Sequence, residues 1–348
     1  MNRIAFVLLA LTPLAFVSEV LHWSALVTFL IAAAALIPVA KFIGDATEEL
    51  ASHAGPAIGG LLNATFGNAT EFIIGIFALN AGLLEVVKAS ITGSIIGNLL
   101  FVLGMSMFAG GWGRERQRFN ATAAKASGSM LLLATTALVI PAIFLFTSAG
   151  ASELEISHLS VFVSVLMIIA YGASLFFTLH THKHLYNEEA GEHETNWSVK
   201  KSLLVLFVAT IAAAAVSEIL VGAIEPLVLN FGWTELFIGV IVIAIAGNAA
   251  EHLSAVTAAI KDRMDLALQI SIGSATQIVM FVAPALVLAS LFFAQPMSLV
   301  FNVFELVAII FSVFVTNSVV EDGESTWFEG FQLLVAYVIM GVAFFFHP

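Results

Sequence analysis

Gly67-Asn68-Ala69-Thr70-Glu71 returns, 180 residues later, as Gly247-Asn248-Ala249-Ala250-Glu251. The same shift carries Gly59 onto Gly239 and Gly93-Ser94 onto Gly273-Ser274, and sets Asp45 against Glu225. One offset that explains several separated matches marks an internal duplication. Each pentapeptide lies inside a long apolar run, so the duplication and the runs around it decide the fold together.

The runs come from an extreme composition. Of 348 residues, 12 are Lys or Arg, 24 are Asp or Glu and 30 are Phe; 60% are apolar and the mean hydropathy is +1.03. A soluble chain of this length has no core large enough to hide so much apolar surface. A polytopic membrane protein is predicted. A spanning helix needs about 20 mostly apolar residues. Eleven stretches qualify, at 4–21, 24–43, 54–80, 86–110, 127–147, 155–179, 201–224, 233–260, 266–294, 298–317 and 327–346. They lack the two-residue alternation of a membrane β-barrel, so the expected fold class is an all-α membrane protein with eleven transmembrane helices. Arg3 and the apolar Ile4–Leu11 resemble the start of a signal peptide, but Phe16-Val17-Ser18-Glu19 is a poor cleavage site, and a retained helix is expected.

Positive residues in short loops mark the cytoplasmic side. With the N-terminus inside, eleven of the twelve Lys and Arg residues fall at cytoplasmic ends or loops; Lys88 alone falls outside. The C-terminus is then outside. The division is an N-terminal helix at 1–22, a first five-helix repeat at 23–179, a cytoplasmic linker at 180–200 and a second repeat at 201–348. Five is odd, so the two copies enter the membrane from opposite sides. Inverted repeats point to a secondary transporter with its site near the bilayer midplane. The linker holds Glu188, Glu189, Glu192 and Glu194 beside His180, His182, His184 and His193. It reads as a solvated connection or as an acidic segment that senses cations or pH.

Glu71 and Glu251 lie within apolar spans, where an ionisable side chain costs several kcal/mol unless it faces a cavity or a partner. Asn68 and Asn248 each precede a glutamate by three residues, which on a helix puts amide and carboxylate on one face. Gly67 and Gly247 allow a local break that frees backbone carbonyls. The partner helices add Ser94 with Asn98 and Ser274 with Gln277, again at one-face spacings. Such oxygens suit a hard cation; calcium takes about six to eight of them in forgiving geometry. With no cation bound, low dielectric and a neighbouring like charge favour protonated carboxyls. Cation and proton would then take turns on the same oxygens. Glu218, inside the seventh span without a partner at the 180-residue shift, reads as a proton-path residue or a helix-end residue in contact with water. His252 points about 100° away from Glu251 on a helix, and neither it nor His53 has the spacing of a zinc site.

The net charge of −12 leaves no basic surface for nucleic acid. The absence of cysteine removes disulfides and thiolate metal sites. No P-loop, His-Glu-x-x-His or Gly-x-Ser-x-Gly occurs, so an ATP-driven module and an enzyme are both disfavoured. Nothing resembles a channel's selectivity filter.

On Gly59-Gly60-Leu61-Leu62-Asn63-Ala64-Thr65-Phe66-Gly67-Asn68-Ala69-Thr70-Glu71, Gly247-Asn248-Ala249-Ala250-Glu251-His252 and Ser271-Ile272-Gly273-Ser274-Ala275-Thr276-Gln277, the chain resembles the cation/proton exchanger family of the calcium/cation antiporter superfamily. The resemblance implies eleven helices with the first outside the five-plus-five core. It also implies calcium binding by Glu71, Glu251 and neighbouring oxygens, the same glutamates carrying protons on the return. The stretch after the sixth helix resembles the family's acidic motif, here with only four glutamates. The sodium-coupled branch of the superfamily typically shows Ser-Pro-Glu or Asn-Pro-Glu after its repeat glycines, and this chain does not. Calcium/proton exchange is therefore expected, with sodium/calcium exchange as the alternative. The expected partners are calcium, protons and membrane lipid, with no cofactor. The expected location is a bacterial plasma membrane, where a homo-oligomer is compatible with the sequence.

Overall fold

The computed structural model describes residues 9–54, 59, 62–63, 65–148, 150, 152–182 and 196–347. Among these the chain is almost wholly helical. Seven helices are long and apolar enough to cross a membrane: α2 (Ala25–Ala54), α4 (Leu84–Gly111), α5 (Ala121–Thr147), α6 (Glu153–Thr181), α7 (Val199–Phe231), α10 (Met264–Ser290) and α12 (Trp327–Phe346). An eighth arises if α8 (Glu235–Gly247) and α9 (Ala249–Ile260), bent by 60° at their junction, are one broken span. Shorter apolar helices are α1 (Leu11–Val20), α3 (Ala69–Asn80) and α11 (Val303–Val319). The protein is an all-helical integral membrane protein.

The 180-residue offset reaches into the backbone. Helices α3 and α9 are each 12 residues long and start at positions related by that shift. The residue before each is non-helical and alike in conformation: Asn68 at φ −109°, ψ 33° and Asn248 at φ −96°, ψ 11°. The turns that follow match too. Gly82 (φ 76°) and Asp262 (φ 62°) occupy the same left-handed position, which glycine adopts freely and Asp tolerates better than most residues. Within α4 the helix widens to a π-turn at Gly97–Val102, and within α10 at Ile278–Val282.

The described chain forms two compact units, within 1–90, 190–250 and 347–348 on one hand and 91–189 and 251–346 on the other. In the first, Val39, Ile43, Ala46 and Leu50 of α2 meet Leu206, Ala209 and Ala213 of α7 and Ala69 of α3 in one core cluster. Alanines at these contacts let the helices approach closely, the usual basis of packing in lipid. Helix α2 outruns its expected end at residue 43, continuing to Ala54. Lys41 pairs with Asp45 at 2.9 Å along it. The buried Glu49 carboxylate accepts the backbone N–H groups of Asn196 and Trp197 at 3.0–3.2 Å. Hydropathy marks only the apolar part of this helix, whereas backbone bonding carries it further.

In the second unit, α12 lies against α4 through Gly104 and Gly330, where an added Cβ at Gly330 would meet the Phe108 backbone nitrogen. Three loops that the charge rule places on the cytoplasmic side come together here. Strand β1 (Gln117–Arg118) pairs antiparallel with β2 (Glu324–Ser325), Gln117 facing Ser325 and Arg118 facing Glu324. Glu324 also pairs with Arg116 at 2.7 Å and with Arg118 at 3.2 Å. The Gln117 side chain donates to Ala259 O and Asp262 Oδ1, both at 2.9 Å, and Asp265 Oδ1 accepts from the Asn120 amide at 2.7 Å. The four linker glutamates, Glu188, Glu189, Glu192 and Glu194, lie outside the described residues.

Candidate cation and proton site

Both motif glutamates stand in the first turn of a helix that begins at a break. There the unpaired N–H groups give a partial positive charge that favours an anion. In the first unit, Gly67 and the buried Asn68 form the turn, and Asn68 makes no side-chain cap bond to α3. Glu71 is half-buried and lies flat against the second motif. A Cβ built on Gly247 would sit 3.3 Å from Glu71 Cγ and 3.7 Å from its Oε1. Glycine at 247 therefore lets a carboxylate of one copy rest directly on the broken backbone of the other.

Asn248, 1% exposed, turns its amide back on its own helix and donates to Ala244 O at 2.9 Å. The Asn248 backbone N–H donates to the same carbonyl at 3.2 Å, so the side chain doubles the last ladder bond of α8 at the break.

The second unit holds the rest. Glu251 is half-buried on α9, its Oε2 shut off from solvent and without a hydrogen-bond partner among the described residues. A buried carboxylate oxygen with nothing to accept from is costly; a proton or a cation would relieve it. On α4 the buried Asn98, first turn of the π-segment, donates its side-chain amide to Ser274 Oγ of α10 at 3.1 Å. Ser94 lies one turn before Asn98 and is buried, while Gln277, half-buried, ends the α-helical part of α10 just before its π-turn. π-Turns often accompany functional sites because they shift side chains out of regular register. Among the described residues no group of three His, Asp or Glu side chains comes together to hold a metal ion. The donors on offer are thus a few carboxylates supplemented by amides, hydroxyls and main-chain carbonyls.

The remaining residues separate cleanly. His252 sets its ring edge-on to Phe101, centroids 5.6 Å apart, and His53 bonds the Trp197 carbonyl at 2.8 Å. Glu218 is exposed on α7. Two buried carboxylates escape the sequence reading, Glu49 and Glu305. Glu305 is 1% exposed, and its oxygens accept Thr92 Oγ1 at 2.9 Å and the Asn302 amide at 3.0 Å. Asn302-Val303-Phe304-Glu305 ahead of an apolar run is a capping-box pattern, a signal present in the sequence. Glu49 has no such local signal, because its partners lie 147 and 148 residues away.

Duplicated helices that break beside buried carboxylates, in an integral membrane protein, define the class of ion-coupled secondary transporters. The chain belongs to the sodium/calcium exchanger protein family, whose model matches residues 24–180 and 201–346. The Ca(2+)/H(+) antiporter ChaA of Bacillus subtilis (strain 168) is 48% identical over 352 residues, covering 99% of each chain. The Ca(2+)/H(+) antiporter of Aphanothece halophytica is 44% identical, covering 100% of this chain and 97% of that one. The solved structure of native YfkE superposes with a TM-score of 0.87 at 44% identity, covering 99% of this chain and 100% of that one. That of the H+/Ca2+ exchanger CAX, at 15% identity and a TM-score of 0.73, covers 98% of this chain and 91% of that one and shares the fold.

Proposed function

We propose that the protein exchanges calcium for protons across a membrane by alternating access, with Glu71 and Glu251 taking cation and protons in turn. The observation that carries this reading is the doubled Asn-x-x-Glu break, with Glu71 pressed on Gly247 and a buried Glu251 oxygen that has no donor among the described residues. Oxygens of that kind accept either a proton or a divalent ion, and occupation by one excludes the other. Full-length relatives carrying Ca(2+)/H(+) antiporter names support the same reading.

In this account Asn68, Asn248, Ser94, Asn98, Ser274 and Gln277 supply further oxygens or orient them, and Gly67 and Gly247 free the backbone around the ion. Glu218 is a further proton carrier on α7. The eleven apolar segments are eleven spans, one N-terminal helix and two inverted five-helix repeats, with the N-terminus cytoplasmic and the C-terminus outside a bacterial plasma membrane. Two of the three loops that meet in that cluster carry Arg114, Arg116, Arg118, Lys261 and Arg263, which supports that orientation. The acidic linker with Glu188, Glu189, Glu192 and Glu194 is either a solvated connection or a segment that responds to cations or pH.

Radiolabelled calcium uptake into proteoliposomes tests the coupling. Uptake driven by an imposed pH gradient without sodium is expected. Uptake driven only by a sodium gradient would move the protein to the sodium-coupled alternative, and flux indifferent to both gradients would refute exchange.

A further inference from the structure

Helix α11 touches the site-bearing helix α4 through two side-chain hydrogen bonds that bracket Ser94 and Asn98. On one side, Thr92 Oγ1 donates to Glu305 Oε1 at 2.9 Å; on the other, Thr316 Oγ1 donates to the Leu99 carbonyl at 3.3 Å. Thr92, Asn98, Glu305 and Thr316 are each no more than 1% exposed. Both bonds exist for reasons local to α4 and α11. Glu305 cannot swing away, because its other oxygen closes the capping box at Asn302. Leu99 lies in the π-turn Gly97–Val102, a wider turn of the kind often found at functional sites.

We propose that Thr92, Glu305 and Thr316 are positioning residues: α11 clamps α4 at two points and so fixes the π-turn register that aims Asn98 at Ser274. The inference rests on the reading of Ser94, Asn98 and Ser274 as site residues. None of the three clamp residues needs to touch the ion. A π-turn can migrate along a helix by one residue at a time, and each step would rotate Asn98 away from Ser274 Oγ, 3.1 Å distant. A hydroxyl held on the Leu99 carbonyl stops that migration on the C-terminal side, and the Thr92–Glu305 bond stops rotation on the N-terminal side. Partners that orient ion ligands commonly change ion affinity by about tenfold or more when removed.

The test uses the full-length protein with Thr316→Val, Thr92→Val and Thr316→Ser. Calcium half-saturation and maximal rate are measured in proteoliposomes, and amide hydrogen exchange across 97–111 in the same preparations. The Val variants are expected to raise half-saturating calcium about five- to tenfold with maximal rate within about twofold. They should also speed exchange in the π-turn alone, and Thr316→Ser should restore both. Unchanged half-saturation in folded Val variants would overturn the clamp. Should the wild type show no proton-driven uptake, the transport reading fails by itself. Hydrogen exchange then decides the clamp: faster exchange confined to the π-turn supports it, and none overturns it.

Discussion

The same four-residue spacing, Asn-x-x-Glu, occurs at three helix starts in this chain and comes to two different ends. At Asn302–Glu305 the Asn302 side chain accepts the Phe304 amide at 2.7 Å, and Glu305 reaches back to the Asn302 amide at 3.0 Å and to the Thr92 hydroxyl. Both carboxylate oxygens are engaged within the protein, and the box is structural. At Asn248–Glu251 the asparagine amide instead turns back to Ala244 O, and a Glu251 oxygen is buried without a donor among the described residues. At Asn68–Glu71 the asparagine makes no side-chain cap bond, and the carboxylate lies on Gly247. What separates the cases is the backbone at the asparagine: Asn302 is extended at ψ 146°, whereas Asn68 and Asn248 sit at ψ 33° and 11°, each directly after a glycine. An extended asparagine can cap the helix it starts, whereas Asn248 gives its side-chain amide to a carbonyl of the helix it ends.

That contrast is breakable by substitution. The largest effect is expected from Glu71→Gln or Glu251→Gln, either of which should abolish proton-driven calcium uptake while leaving the folded protein monodisperse. Glu305→Gln should do the reverse: weakened bonds to Thr92 and Asn302 cost about 1.5–3 kcal/mol, read as a lower melting temperature, with uptake retained at weaker half-saturation. Gly247→Ala sharpens the comparison without touching a carboxylate. Its Cβ would crowd Glu71 Cγ at 3.3 Å, and about 1 kcal/mol of overpacking corresponds to roughly a fivefold rise in half-saturating calcium. The smallest effect belongs to the half-buried carboxylate of Glu324 in the loop before α12. The Arg116 guanidinium bonded to Glu324, with Arg118 beside it, holds that carboxyl below its ordinary value. Its stabilising contribution is present above the ordinary carboxylate range and is lost as pH falls through the lowered value. Glu324→Gln should therefore lower the melting temperature slightly at neutral pH, leave uptake unchanged, and become indistinguishable from wild type in strong acid.

Much of the candidate site is legible in the sequence because duplication makes it so. Glu71 and Glu251 identify each other through their shared offset, and the break at each Asn follows from the glycine before it. The left-handed turn at Gly82 and Asp262 is just as well duplicated in the backbone. It escapes a residue-by-residue comparison because Asp stands in for Gly. The π-turns escape for another reason: Leu99, Leu100, Ile278 and Val279 are ordinary apolar helix residues, and only packing against neighbours selects the wider turn. Helix ends beyond the apolar runs are likewise invisible to hydropathy. The last turns of α2 depend on Glu49 finding the backbone of Asn196 and Trp197, a contact that no local pattern announces. Glu305 is different, since its capping box is written in the same letters as the doubled motifs; only its surroundings tell the two apart.

The central claim is that calcium displaces protons from the two motif glutamates and from no other carboxylate. Proton release on adding calcium to the purified protein in weakly buffered solution near neutral pH measures it directly. Release from the wild type and from Glu305→Gln, and none from the Glu71→Gln/Glu251→Gln double variant, is the predicted result. Undiminished release from the double variant would contradict the account.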